Sequence, residues 1–581
     1  MTQKLPFLPA GTADFEVLRK KNGVYVDKTM YIPELFDAGQ FIFCARPRRF
    51  GKSLTVSALD DFCSGRQELF RGLEAEKVMS SPDFVVRPVI RLDMSQMAGS
   101  KSEEILINKI MRHLSENAAR HNVSLRGADC PDTFSCLLKD VHEASGQKVV
   151  LLIDEYDDPV IRLIEKGKQL CDSKLLDGTR DVMQDLYKQI KGSSKDIEFA
   201  FITGITKFSR MGMFSKLNNL TDISLLPKFG AFMGYTHDEL TTYFEPFITA
   251  TALELGMSEE KLLDEIRDYY DGFSFDGKVE LYNPFSVLTF FQTGKFGNFW
   301  MESGSNTLVR TFLRDKELTA EEFRGGTVGF GFARTPGEID ATSPKGLLYQ
   351  AGYLTLREDL GQSYVLDYPN REVREAISIL FLENVNSDWD GIENAGLELS
   401  GFLTSGNVPG MVSVFRRLLA GIHYSDHLDA NRAPQAARLQ KTAGDASGAE
   451  LPDPPQQARS ETLADKLSRK KGESWYRSLL QTCLWTAGAK VTPEKSENKG
   501  RLDLEAVFGR MTYVIELKVS DDARGAAAAV RAGMDQIHER GYGRATDNPV
   551  LVSLAVGRAE RNIVGCLFER DGQETAVEVE V

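Results

Sequence analysis

Between Gly500 and Val519 the chain reads GRLDLEAVFGRMTYVIELKV, and three of its side chains have the types and spacing for chemistry on a phosphate ester. Leu502, Leu504, Ala506 and Phe508 alternate with Arg501, Asp503, Glu505 and Val507; Met511, Tyr513, Ile515, Leu517 and Val519 alternate with Thr512, Val514, Glu516 and Lys518. Period two predicts two strands. Gly509 and Arg510 lie between them, and Gly at the first of two loop positions suits a II′ hairpin turn. If Phe508 pairs with Met511, Asp503 stands opposite Glu516 on one face, with Cβ atoms about 4.5–5.5 Å apart. Two carboxylates that close repel unless one is protonated or a cation lies between them. Mg²⁺, which takes carboxylate oxygens at about 2.0–2.1 Å and keeps several waters, fits that gap. Lys518 leaves the same face, placed to hold an attacking water or a phosphate. Hairpin geometry alone favours a plainer reading, a solvated polar face on an ordinary antiparallel pair.

A second group of residues suits nucleotide phosphate. The apolar run Phe41–Ala45 leads into Arg46-Pro47-Arg48-Arg49-Phe50-Gly51-Lys52-Ser53 and a helical pattern from Leu54. Strand, loop, Gly-Lys-Ser and helix form the context of a P-loop. There Arg49 to Leu54 cradle phosphate with backbone N–H groups, Lys52 reaches the β/γ oxygens, and Ser53 ligates Mg²⁺. Arg46 stands where the pattern asks for its first Gly, and Pro47 forces it into an extended conformation. Arg46, Arg48 and Arg49 are expected to divide between phosphate contacts and solvent. Further on, Val149–Ile153 is a continuous apolar strand that ends in Asp154 and Glu155. With Gly-Lys-Ser upstream, Asp154 is assigned to the Mg²⁺ water shell and Glu155 to orienting and deprotonating the attacking water.

These groups need a scaffold, and the rest of the chain predicts one. Strands at 88–93, 148–153 and 197–202 alternate with helical patterns, which implies a parallel α/β sheet with ligand at the carboxyl ends of its strands. Thr236 with Glu239 is a capping box that opens a helical middle segment, read as a lid. Residues 430–460 are rich in Ala, Gln and Pro without apolar periodicity, and are read as a linker. The expected organisation is therefore 1–235 for the nucleotide domain with its lead-in, 236–429 for the middle, 430–460 for the linker and 461–581 for a terminal domain. Asp27 and Lys28 in the lead-in are read as surface groups or a local ion pair. His423 and His427 lack a third ligand and are read as surface histidines. Ser468-Arg469-Lys470-Lys471 is a small basic cluster, either solvated or against a nucleic-acid backbone.

Composition bounds the function. The 581 residues carry a net charge of −14, which argues against nonspecific coating of nucleic acid but leaves room for a locally basic cleft. Seven scattered cysteines without a C-x-x-C pair suit a reducing cytoplasm. No apolar run reaches 18 residues and no signal peptide is evident, so a cytoplasmic protein without a membrane partner is expected.

The Asp503…Glu516-x-Lys518 pattern between apolar-flanked strands resembles the core of PD-(D/E)XK nucleases, here without a Pro before Asp503. The strings G-T-x-D-F, Y-V-D-K-T, R-P-R-R-F-G-K-S, Y-D-G-F, Y-N-P-F-S, GLLYQAGYLTL and DYPNREVREAI resemble a bacterial family that joins an AAA-ATPase-like domain to such a nuclease-like domain. The resemblance covers nearly the whole chain. It implies an AAA-like P-loop sheet with a helical lid, followed by an α/β restriction-endonuclease-like domain. It also implies ATP and Mg²⁺ as cofactors, with Mn²⁺ as a substitute in the nuclease site, and nucleic acid, with DNA favoured, as partner. Homo-oligomers and a role against mobile elements follow from the same analogy. Within the motif, Asp503, Glu516 and the Leu517 carbonyl would hold the cation. Lys518 would position the nucleophile, Glu473 on an upstream helix would complete the site, and Gln536 would orient Lys518 or substrate. Thr203 or Lys207, at the end of the 197–202 strand, would sense the γ-phosphate, with a plain polar turn equally consistent; Arg210 is not assigned. Two rival functions stay open: an ATP-dependent switch whose terminal domain binds nucleic acid or protein without cutting, and an ATP-driven DNA motor.

Overall fold

A computed structural model describes residues 5–166, 172–206, 220–302, 307, 309–310, 325–329, 331–332, 344–385, 389–421, 463–497, 500–544, 546 and 549–579. Lys207, Arg210, His423, His427 and the whole 430–460 segment lie outside the described residues. The chain divides into two compact units, one of Met1–Leu318 with Glu322–Ala376, the other of Ile377–Val581 with Thr319–Glu321.

The first unit is built on a five-stranded sheet of β1 (Phe41–Ala45), β2 (Val89–Asp93), β3 (Val149–Asp154), β4 (Ile197–Gly204) and β5 (Leu220–Asp222). The order is β2-β3-β4-β1-β5 and every pair is parallel. All six residues of β3 are buried, as are Phe41 to Cys44 of β1, because helices cover both faces of a parallel sheet. β4 lies between β1 and β3, so the loop after β1 and the acids after β3 flank one strand end at the carboxyl edge. The predicted capping box is present: the Thr236 hydroxyl accepts from the Glu239 N–H and the Glu239 carboxylate accepts from the Thr236 N–H. The middle segment is not wholly helical. An antiparallel sheet of β6 (Gly326–Gly329), β7 (Thr355–Asp359) and β8 (Ser363–Asp367) follows the helices, in the order β6-β8-β7. Helices elsewhere in this unit pack on a cluster that includes Leu240, Phe244, Phe247, Ile266, Tyr270 and Phe291.

The second unit has a six-stranded mixed sheet: β9 (Lys490–Glu497), β10 (Gly500–Phe508), β11 (Met511–Ser520), β12 (Pro549–Gly557), β13 (Asn562–Arg570) and β14 (Gln573–Val577). They run in the order β14-β13-β12-β11-β10-β9, with β11 and β12 parallel and the other pairs antiparallel. A parallel pair needs a crossover, and the helix Ala526–Arg540 supplies it, burying Val530, Met534 and Ile537 with Val514 and Ala555. Residues 377–421 of the middle segment belong to this unit. The helix Val408–Ala420 packs on β13, and the helix Trp389–Ser405 on the helix Leu463–Thr486. The Tyr513 hydroxyl donates to the Leu403 carbonyl at 2.7 Å.

Candidate functional site

The hairpin at Gly509 sets the terminal site. Gly509 takes φ 57°, the left-handed value a primed turn requires of its first loop residue. Phe508 pairs with Met511, and the register runs back through Leu504 opposite Ile515. The paired register ends there; continued by one residue it would align Asp503 with Glu516, as the turn predicts, and Asp503 Oδ2 accepts the N–H of the next residue, Leu517. The plainer reading of this face as solvated does not hold, because Asp503 is 8% exposed and Glu516 2% exposed. Acids this buried need partners. Asp503 accepts the Leu517 N–H on Oδ2 at 2.9 Å and the Arg477 guanidinium on Oδ1 at 3.3 Å. Glu516 Oε1 accepts from Lys518 Nζ at 2.9 Å and from the Gln536 side-chain amide. Its Oε2 is buried without a hydrogen-bond partner. Burial, then the Asp503 charge, pushes the Glu516 carboxyl up to about 7. Lys518 is raised by its bond to Glu516 against the opposing effect of burial, which is the largest single influence. Glu473, half-buried on the helix Leu463–Thr486, is raised by burial and by Asp503.

Asp503, Glu516, Lys518, Gln536 and Glu473 thus come to one place, with two adjustments. Gln536 reaches Glu516 and not Lys518, and Leu517 meets Asp503 through its N–H. The orphaned, buried Glu516 Oε2 beside a second carboxylate is the donor set a hard divalent cation takes. Arg477 was missed by sequence reasoning; its only signal is its place one helical turn after Glu473. Ser553 was missed too. It pairs with Glu516 across β11 and β12, and is fully buried against the helix Ala526–Arg540 at Gly533.

In the first unit the loop after β1 adopts φ 69° at Arg49 and 85° at Gly51, and Gly51 caps the helix Lys52–Cys63. Lys52 is buried and donates to the Arg46 and Pro47 carbonyls at 3.1 and 3.0 Å. Burial lowers its pKa, against the Glu155 and Asp154 charges. Ser53 hydrogen-bonds Asp154, whose carboxyl burial pushes up to about 6. Asp154 Oδ1 is buried without a hydrogen-bond partner, so Ser53 and Asp154 fit a phosphate-bound Mg²⁺. A cavity of about 360 Å³ adjoins them, lined by Arg49, Phe50, Gly51, Lys52, Ser53, Leu54 and Glu155. That is within the usual range for a small-ligand site. Residues 9 and 11–13, Lys28 and Tyr235 close its other side.

Three expectations are corrected here. Thr203 does not line the cavity: it is fully buried, and its hydroxyl donates to the Cys44 carbonyl of β1 at 2.8 Å. Arg46 is neither a phosphate contact nor a solvent group. It is 1% exposed, donates to the Ala45, Ser224 and Phe229 carbonyls, and lies 4.0 Å over the Phe275 ring. This bracing role explains why a long side chain replaces the usual Gly. Asp27 and Lys28 are not at the surface. Asp27 accepts from Thr29 and from the Glu74 N–H, while Lys28 binds the Ala231 carbonyl at 2.9 Å and Glu239 at 2.6 Å. Arg48 faces the cavity and bonds Glu165 at 3.4 Å; Arg49 lies 4.7 Å over Phe285.

Comparison with known proteins gives a family match for each region. Residues 9–214 match the family described as predicted AAA-ATPase, and residues 471–557 match the PD-(D/E)XK nuclease superfamily. The chain carries an AAA-ATPase-like domain and, after it, a PD-(D/E)XK nuclease-superfamily domain. Similarity to one curated relative is continuous across both. An uncharacterized protein in the vnfD 5'region of Azotobacter chroococcum mcd 1 is 28% identical over 575 residues, covering 97% of this chain and 99% of its own. The nuclease-superfamily match spans Glu473, Arg477, Asp503, Glu516, Lys518, Gln536 and Ser553. The AAA-ATPase-like match spans the whole loop from Arg46 to Ser53, the acids after β3, and the Asp27–Lys28 lead-in. Among the described residues no helix is long and apolar enough to cross a membrane.

Proposed function

We propose that the protein binds and hydrolyses ATP in its first unit and cleaves phosphodiester bonds of nucleic acid, DNA foremost, in its second. The observation that carries the nuclease reading is the buried, in-register Asp503–Glu516 pair with Lys518 bonded to it. A divalent cation held there by Asp503, Glu516 and the Leu517 carbonyl would lower the pKa of a bound water and offset charge on the phosphate. Gln536 fixes the Glu516 rotamer through Oε1 and leaves Oε2 for the cation. Lys518 presents an ammonium toward the phosphate and the attacking water, and Glu473 adds a third carboxylate from the helix. In the first unit Lys52 would leave the Arg46 and Pro47 carbonyls for the β/γ oxygens. Ser53 and Asp154 would hold Mg²⁺, and Glu155 would orient the attacking water. Control of cleavage by ATP, assembly with further copies of the chain, and action against mobile elements complete the proposal. It rests on the pairing of the two domain types.

The test incubates purified protein with plasmid, linear duplex and RNA, in Mg²⁺, Mn²⁺ or EDTA. Cleavage in either metal, none in EDTA, and a loss of at least about 100-fold in Asp503→Asn and Glu516→Gln are expected. Folded protein that binds nucleic acid in a metal-dependent way and never cuts would support instead a switch that binds without cutting.

A further inference from the structure

Both oxygens of Asp503 are already engaged, Oδ2 by the Leu517 N–H and Oδ1 by Arg477. A cation that takes Asp503 must therefore displace one of them. The backbone bond is built into the hairpin, whereas the guanidinium contact is a long 3.3 Å and its side chain is 14% exposed, so Arg477 is the partner that gives way. Charge points the same way. Among the described residues, Asp503, Glu516 and Glu473 act on Lys518 and Arg477, three carboxylates against two cations. A divalent ion turns that excess of negative charge into an excess of positive charge, and a phosphodiester then becomes a favourable neighbour. A guanidinium suits a phosphate oxygen pair better than an ammonium does. Arg477 is also carried on the helix Leu463–Thr486 and not on the sheet, so it can move without disturbing the hairpin register.

We propose that Arg477 occupies the cation's place on Asp503 until metal enters, and then transfers to the scissile phosphate as a substrate-binding residue. The second half of this rests on the nuclease reading above; the first half does not. Before loading, Arg477 holds the Asp503 carboxylate in place through Oδ1. After loading, the same side chain binds substrate, so nucleic acid is held firmly only once the site is charged with metal.

The experiment uses the full-length protein without nucleotide and follows Mn²⁺ binding by electron paramagnetic resonance. Asp503→Asn serves as the reference that removes the site, and thermal melts confirm folding. Arg477→Ala is expected to bind Mn²⁺ about 3- to 10-fold more tightly than wild type, since a competing charge is gone. Arg477→Lys, which keeps the charge, should stay near wild type. In Ca²⁺, Arg477→Ala should hold duplex at least about 5-fold more weakly, and in Mg²⁺ it should cleave at least about 30-fold more slowly. Unchanged or weaker Mn²⁺ binding in Arg477→Ala overturns the competition, whether or not the wild type cuts. Tighter Mn²⁺ binding with unaltered duplex affinity and cleavage overturns the transfer to phosphate. A wild type that binds Mn²⁺ at Asp503 but cuts nothing overturns the nuclease reading and the transfer together, and leaves the competition standing on the Mn²⁺ result.

Discussion

Glu372 and Glu516 are two acids that burial drives in the same direction to different ends. Both leave Oε2 without a hydrogen-bond partner, but Glu516 also has the Asp503 charge and the Lys518 ammonium beside it, which suits the ligand role proposed for it. Glu372 is fully buried in the first unit, accepting the Trp300 N–H at 2.7 Å and the Ser286 hydroxyl at 3.1 Å, and burial pushes it up to about 8. Because its folded pKa lies above the ordinary 4.5, its contribution to stability is complete below about pH 4.5 and is lost as pH rises through about 8. Glu372→Gln should therefore flatten the pH dependence. On going from pH 5 to 9 the wild type should lose on the order of 4 kcal/mol relative to the variant in urea unfolding. Parallel profiles would show that Glu372 is ionised throughout. At this scale the Asp503–Glu516 pair was legible, because a two-residue turn fixes which residues oppose one another. Arg477, Lys28 and Arg46 were not, since their partners come from elements distant in sequence and no local pattern states where those elements pack.

At the scale of elements, the approach of the helix Ala526–Arg540 to the sheet decides whether Gln536 reaches Glu516. That approach depends on Gly533: a Cβ there would lie 2.2 Å from the Ser553 Oγ and 3.4 Å from the Lys518 Cγ. Gly533→Ala should push the helix outward, lower stability by about 1–3 kcal/mol and slow cleavage, measured by urea melts beside a cleavage assay. Ser553→Gly in the same chain should restore much of both. A double variant no better than Gly533→Ala would mean that the helix is seated by other contacts. The strands of the first sheet were readable as apolar runs, and the hairpin as period two. The placing of β4 between β1 and β3 was not, because strand order is set by crossovers and leaves no periodicity. The small β6-β8-β7 sheet escaped a helical reading of the middle segment for a similar reason: its strands are only four or five residues long.

At the scale of the whole chain, two compact units each carry one of the two proposed hydrolytic sites, and ATP control of cleavage is the proposed link. Lys52→Ala should weaken nucleotide binding at least about 10-fold, read with a fluorescent ATP analogue. It should also abolish any change that ATP makes to the cleavage rate, while leaving cleavage without ATP unaltered. Unchanged nucleotide affinity would count against the loop as the phosphate cradle; an ATP effect that survives the substitution would place control elsewhere. The net charge of −14 is compatible with the proposed nucleic-acid contacts if these are local and metal-dependent. The 430–460 segment that composition marks as a linker lies outside the described residues, and the assignment of residues 377–421 to the second unit rests on helices that pack on β13 and on the helix Leu463–Thr486, far along the chain.

The central claim is that Asp503, Glu516 and Lys518 act together on a phosphodiester, and Lys518→Ala tests it most directly. Single-turnover cleavage of a labelled duplex in Mg²⁺ should fall by at least about 100-fold in the variant, while thermal melts show it folded and its Mn²⁺ binding is at least as tight as wild type. Equal cleavage by the two proteins would contradict the account.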